Sequence, residues 1–145
     1  MTHINRSALV PYSSEQMYQL VDGIPLYPQF LPWCRSAVEH ARDADEVKAS
    51  IEIAKGAVNK QFTTLNRLQK NKTIEMRLVD GPFRHLHGFW RFDELKADAC
   101  KVSLDLDFEF SNKILSMVVG PVFNQVANTL VDSFVERARK VYGKP

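Results

Sequence analysis

Apolar and polar residues alternate through the middle of the chain, and the spacing turns helical towards its end. Val47, Ala49, Ile51 and Ile53 alternate with Lys48, Ser50, Glu52 and Ala54; Ile74, Met76 and Leu78 alternate with Glu75 and Arg77. Leu86, Gly88, Trp90 and Phe92 share a further row, and Val102, Leu104, Leu106, Phe108 and Phe110 another, set against Ser103, Asp105, Asp107 and Glu109. A period of two predicts strands with one buried face and one wet face. Residues 3–10 alternate loosely, and 33–40 and 60–68 are β-compatible but irregular. Six or seven strands with short connections and no helix between them predict an antiparallel sheet.

Two helices flank this region. Ser13-Ser14-Glu15-Gln16 reads as a capping box, with Met17, Leu20 and Val21 as the buried side of a short helix. Asp22-Gly23 reads as its exit, with Gly23 free to turn left-handed. Pro25, Pro28 and Pro32 then exclude a sheet interior or a long helix. Tyr27, Phe30, Leu31 and Trp33 between them are too apolar for a solvated loop, so a tight turn or short helix packed on a greasy surface is expected. From Leu115, apolar residues at Val118, Val119, Val122, Phe123, Val126, Ala127, Leu130, Val131, Phe134, Val135 and Ala138 form one broad helical stripe. A helix over 112–141 follows, with a break or kink expected at Gly120-Pro121. The sheet's dry face needs a cover, and this helix is the element large enough to supply it. The expected fold is α+β: one domain, 1–145, in which an antiparallel sheet of six to seven strands grips a long C-terminal helix.

Composition narrows the function. The 145 residues are 45% apolar and 25% charged with a net charge of +2, which excludes a disordered segment and disfavours a dedicated nucleic-acid domain. Cys34 and Cys100 form neither a metal quartet nor a disulfide framework and read as reduced thiols. The N-terminus lacks the plan of a signal or transit peptide. Ile114 to Phe123, the most apolar run, is too short for a bilayer needing about 20 residues. A soluble cytoplasmic protein is expected.

Catalytic motifs are missing. The chain has no nucleophile elbow, P-loop or dinucleotide fingerprint. Asp105/Asp107 and Asp43/Asp45 fall on wet positions, where two carboxylates do not part their pKa values. His85 and His87 share a strand face and could reach one metal, but no third ligand lies nearby, so no metal is expected. Cys34 beside Arg35 is expected to be a buried, inert thiol. Lys55, Lys60, Arg67, Lys70, Lys72 and Arg77 against a lone Glu75 suggest a cationic patch suited to phosphate contacts. The remaining signal is apolar excess. Leu86, Trp90, Phe92, Leu104, Leu106, Met117, Phe123 and Phe134 are expected to line a cavity between sheet and helix, with Tyr27, Phe30, Leu31 and Trp33 as its lid.

Longer blocks carry a resemblance. Val10-Pro11-Tyr12-Ser13 leads to Met17-Tyr18, then to Tyr27-Pro28-Gln29-Phe30-Leu31-Pro32-Trp33-Cys34. Asp80-Gly81-Pro82-Phe83 precedes Leu86, Gly88, Trp90 and Phe92; Phe123, Ala127-Asn128, Val131-Asp132, Phe134 and Arg137-Ala138 close the chain. Together they resemble the bacterial branch of the coenzyme Q-binding START-like family. The resemblance implies a helix-grip fold and no enzymatic activity, although a cyclase of the related polyketide type stands as a third reading. Mitochondrial members bind ubiquinone and support respiration as carriers or chaperones. For this chain that implies a bound ubiquinone or other polyprenyl lipid in the apolar cavity, with transient contact to a membrane surface. The bacterial branch holds toxins that bind the large ribosomal subunit and block its joining to the small one. That role implies Lys60, Arg67, Lys70 and Lys72 as the RNA contact. Neither role implies DNA binding, a cofactor or a metal.

Overall fold

Period-two alternation lets a strand bury one row of side chains and wet the other, and successive strands that share this pattern pair into one sheet. The computed structural model describes residues 1–144. Its strands are β1 (Thr2–Val10), β2 (Cys34–Arg42), β3 (Glu46–Lys55), β4 (Val58–Gln69), β5 (Thr73–Asp80), β6 (Phe83–Lys96) and β7 (Ala99–Phe110). They form one antiparallel seven-stranded sheet in the order β1-β7-β6-β5-β4-β3-β2. Helix α1 (Ser14–Asp22) and a 3₁₀ segment (Ile24–Gln29) fill the connection from β1 to β2, and α2 (Lys113–Tyr142) closes the chain. The C-terminal bound of the expected domain, residue 145, lies outside the described residues.

The capping box at α1 is complete: Gln16 N–H donates to Ser13 Oγ at 3.0 Å, and Ser13 N–H donates to Gln16 Oε1 at 2.9 Å. Gly23 ends the helix at φ −80°, not in the left-handed region expected of it. The chain there runs straight into the 3₁₀ segment, whose first turn holds Pro25, so no reversal is needed. The Tyr27 hydroxyl donates to the Val21 carbonyl and ties this segment back to α1.

α2 is one continuous helix with Pro121 inside it, so the break expected at Gly120-Pro121 is absent. Proline removes a donor from the helical ladder and crowds the carbonyl four residues earlier. Here that residue is Met117, 72% exposed, on the solvent side where water can serve the freed oxygen. By length and composition α2 could cross a membrane, although the interrupted run within it looked too short; in this fold one side of it is core. The far end is tied down by Tyr12, whose hydroxyl donates to the Gly143 carbonyl at 2.7 Å, and by Tyr142, which donates to the Gln16 carbonyl at 3.0 Å.

The inner faces of β6 and β7 form the floor of the core, with Leu86, Trp90, Phe92, Val102, Leu104, Leu106, Phe108 and Phe110 all buried. Phe134 of α2 stands edge-on to Tyr27, Phe30 and Trp90, each with centroids 5.4 Å away. Phe123, three turns earlier, meets Phe83 at 4.9 Å and Phe108 at 4.7 Å. Edge-on geometry of this kind adds to simple area burial. On the outer face, Ser50 is buried despite its polar row, satisfied by His40 Nε2 at 2.7 Å and Thr63 Oγ1 at 2.6 Å.

Candidate functional site

A twisted sheet curves further than one straight helix can fill. α2 packs mainly on β1, β7 and α1, and touches β4 only lightly. Beneath it, on the β3–β5 side, a cavity of about 70 Å³ is left between sheet and helix. Its walls are Ala49, Ile51 and Ile53 of β3, Phe62, Thr64 and Asn66 of β4, Met76 of β5, Leu86 and Trp90 of β6, Leu106 of β7, and Phe123, Val126, Ala127 and Leu130 of α2, closed by Ile24, Tyr27 and Trp33. Gly88 shapes this wall by absence. A Cβ there would stand 2.4 Å from Met76 Cε, so the missing side chain is what lets Met76 lie across the sheet.

The structure divides the expected cavity residues. Tyr27, Trp33, Leu86, Trp90, Leu106 and Phe123 border the space. Leu31, Phe92, Leu104 and Phe134 stand in the packed core instead, and Phe30, partly buried, packs against it. Phe92 lies under α1 with its ring 5.6 Å from Tyr18, and Phe134 is surrounded by aromatic rings. Met117 is a correction: it points to solvent, on the helix face opposite Val119 and Phe123. The volume is also less than the apolar excess suggested. At ~10–15 Å³ per water-sized group the cavity takes about five such groups, against ~300–1,000 Å³ for pockets that enclose a drug-sized ligand.

A second space adjoins it. Pro32, Trp33, Ala54, Lys55, Gln125, Val126, Thr129 and Ser133 line an open cleft of about 300 Å³. Trp33 and Val126 border both spaces, so these two side chains form the wall between cavity and cleft. Lys55 Nζ donates to Gln125 Oε1 and clasps β3 to α2 there. The proline-rich segment thus reaches both spaces, through Tyr27 and Trp33 on the cavity and Pro32 and Trp33 on the cleft.

Two polar side chains in this apolar lining escaped the sequence reading. Thr64 and Asn66 are each 5% exposed, and Thr64 Oγ1 donates to Asn66 Oδ1 at 2.8 Å. Both belong to the inner row of β4, Phe62, Thr64, Asn66 and Leu68, whose polar members made 60–68 look irregular. The signal was present as an interrupted alternation. Tyr27 is the remaining titratable group on the wall, and burial pushes its phenol well above the ordinary tyrosine range. Its hydroxyl is engaged by Val21. Such a lining can desolvate and orient a ligand; it offers no acid–base pair.

The expected cations do not form one patch. Lys60 starts β4 opposite Ile53, whereas Lys70 and Lys72 lie at the β4–β5 turn, about 30 Å away at ~3.3 Å per residue. Arg67 stands 4.0 Å from Glu46 in a hollow that also holds Asp43, Asp45 and Glu75. Lys70 and Lys72 share a groove with Arg91, but also with Glu15, Asp93 and Glu94. On the outer face, His87 Nε2 contacts Glu75 at 2.8 Å, and among the described residues no group of three metal-ligating side chains comes together. Asn5 donates to Asp105 at 2.7 Å and His3 bonds Asp107, so the acidic row of β7 is solvated and paired. Burial pushes the Cys34 and Cys100 thiols up to about 11.

Residues 10–135 match the family model described as polyketide cyclase / dehydrase and lipid transport. The chain belongs to this family. It is 43% identical to the ribosome association toxin RatA of Pseudomonas aeruginosa over 142 residues, 98% of this chain and 99% of that one. More distantly, it is 25% identical over 144 residues to the coenzyme Q-binding protein COQ10 homolog B, mitochondrial, of Xenopus laevis, covering 97% of this chain and 59% of that one. Among solved structures, the Zhui aromatase/cyclase from Streptomyces sp. R1128 superposes with a TM-score of 0.79 at 17% identity, covering 97% of this chain and 95% of that one, a likeness of fold. The family and the helix-grip fold expected from the sequence blocks are both confirmed by these matches.

Proposed function

We propose that the protein is a non-enzymatic binder of a long apolar lipid with a polar ring, of the polyprenyl quinone class, acting as carrier or chaperone. The observation that carries this is the apolar cavity beneath α2, separated from a larger cleft by Trp33 and Val126. Each CH₂ withdrawn from water contributes ~0.8 kcal/mol, so a prenyl tail supplies affinity and the ring needs few polar contacts. Uptake requires Trp33 and the 3₁₀ segment to move aside, because the closed cavity holds only a fraction of such a ligand. The coenzyme Q-binding name of the Xenopus relative supports the same ligand class. Exposed Ile114, Met117 and Val118 on α2 suit brief contact with the membrane from which such a lipid is drawn. Solvent extraction of the purified protein followed by mass spectrometry is expected to yield a polyprenyl lipid. Recovery of none, together with no uptake of added decylubiquinone, overturns the reading.

A second reading rests on the RatA name at 43% identity over nearly the whole chain. In it, the protein binds the large ribosomal subunit in the cytoplasm and blocks subunit joining. It predicts salt-sensitive cosedimentation with that subunit, since phosphate contacts release counterions. Lys70→Glu with Lys72→Glu is expected to abolish it, and Lys60→Glu, at the far end of β4, to leave it intact. Cosedimentation indifferent to the double change removes the β4–β5 turn as the contact.

A further inference from the structure

Asn66 is a polar side chain, 5% exposed, in the lining of an otherwise apolar cavity. It sits in the middle of β4, with Val47 and Met76 as its neighbours on the adjoining strands. Its carboxamide oxygen accepts from the Thr64 hydroxyl at 2.8 Å, which leaves the amide nitrogen as the end of the group still open to a ligand. The pair faces the cavity and does not border the outer cleft. Tyr27 cannot compete for a ligand atom, because its hydroxyl is held by Val21.

Resting on the lipid-binding reading above, we propose that Asn66, oriented by Thr64, donates its amide N–H to a ring carbonyl oxygen of the ligand. The chemistry is selective. Thr64 spends its one proton on Asn66 Oδ1, so the pair offers the cavity donors, and the ligand must supply an acceptor. A quinone ring does so; a plain hydrocarbon of equal length does not.

The test compares decylubiquinone with decylbenzene as probes, titrated against the full chain. Wild type is expected to prefer the quinone by about tenfold, the scale of one neutral hydrogen bond in a dry site. Asn66→Leu, nearly equal in shape, is expected to bring that ratio to about one while leaving decylbenzene binding intact. The bound quinone's carbonyl stretch is expected at lower wavenumber in wild type and at its free value in the variant. If Asn66→Leu does not fold, Thr64→Val, which withdraws the orienting proton but keeps the shape, is expected to lose part of the preference. Retention of the full ratio and the carbonyl shift in the folded variant overturns the assignment. Equal affinity of wild type for both probes overturns it and leaves the carrier reading standing, whereas uptake of neither probe overturns both.

Discussion

Trp33 and Val126 each border two spaces, the cavity beneath α2 and the open cleft beside Pro32. One residue comes from the connection before β2 and the other from the middle of the last helix, so the gap between them is set by how the helix sits on the sheet. Trp33→Ala is expected to join the spaces and speed the uptake of an apolar dye, read as a faster binding phase in stopped-flow fluorescence. Because Trp33 is partly exposed, the stability loss should fall below the ~3–5 kcal/mol of a fully buried aromatic truncation. An unchanged uptake rate would place the entrance elsewhere.

Filling the cavity is the converse experiment. Ala127 is 1% exposed and borders the void from the helix side. Ala127→Val adds two methyl groups where space exists, so the ~1–3 kcal/mol penalty of overpacking a dense core should be largely avoided. Dye and quinone binding should weaken several-fold with a near-unchanged melting temperature. A large destabilisation would mean that the space is not available to a side chain at this position.

Phe134 and Met117 lie on the same helix and test what burial means along it. Phe134 is fully buried among Tyr27, Phe30 and Trp90. Phe134→Ala is expected to cost about 3–5 kcal/mol in denaturant unfolding. Met117→Ala, at a solvent-facing position, should stay within about 0.5 kcal/mol. Comparable losses from the two would contradict the helix orientation.

A pH dependence follows from the β1–β7 edge. The hydrogen bond to Asp107, aided by the charges of Asp107 and Asp105, raises the His3 pKa above its ordinary 6.5. A group whose folded pKa is raised stabilises the fold when protonated. That contribution is complete below the unfolded value and fades as pH climbs through the folded one. His3→Gln should therefore flatten the fall of melting temperature with pH above 6.5, by a small amount because the site is exposed and screened. An NMR titration midpoint for His3 at or below 6.5 would show the pairing to be absent in solution.

Strands with an unbroken apolar row could be read from the chain alone. The row from Val102 to Phe110 is buried at every second residue, as alternation requires, and the Ser13–Gln16 cap and the α2 stripe formed where their spacing put them. The inner row of β4 could not be read so directly, because Thr64 and Asn66 interrupt the apolar signal on the side that faces the core. Those are the residues that give the cavity its polar end. Periodicity records which residues share a face of their own element, and so it assigned Val118 and Phe123 to one broad stripe, although Val118 is exposed. It does not record which sector of that stripe meets the sheet, nor that Lys60 and Lys70 stand at opposite ends of one strand. Those facts, and the size of the void under α2, depend on sheet curvature and on pairing between segments far apart in sequence, such as β1 with β7. Local pattern thus determined the elements and their buried sides, while the space left between them was decided only when the whole sheet closed around its helix.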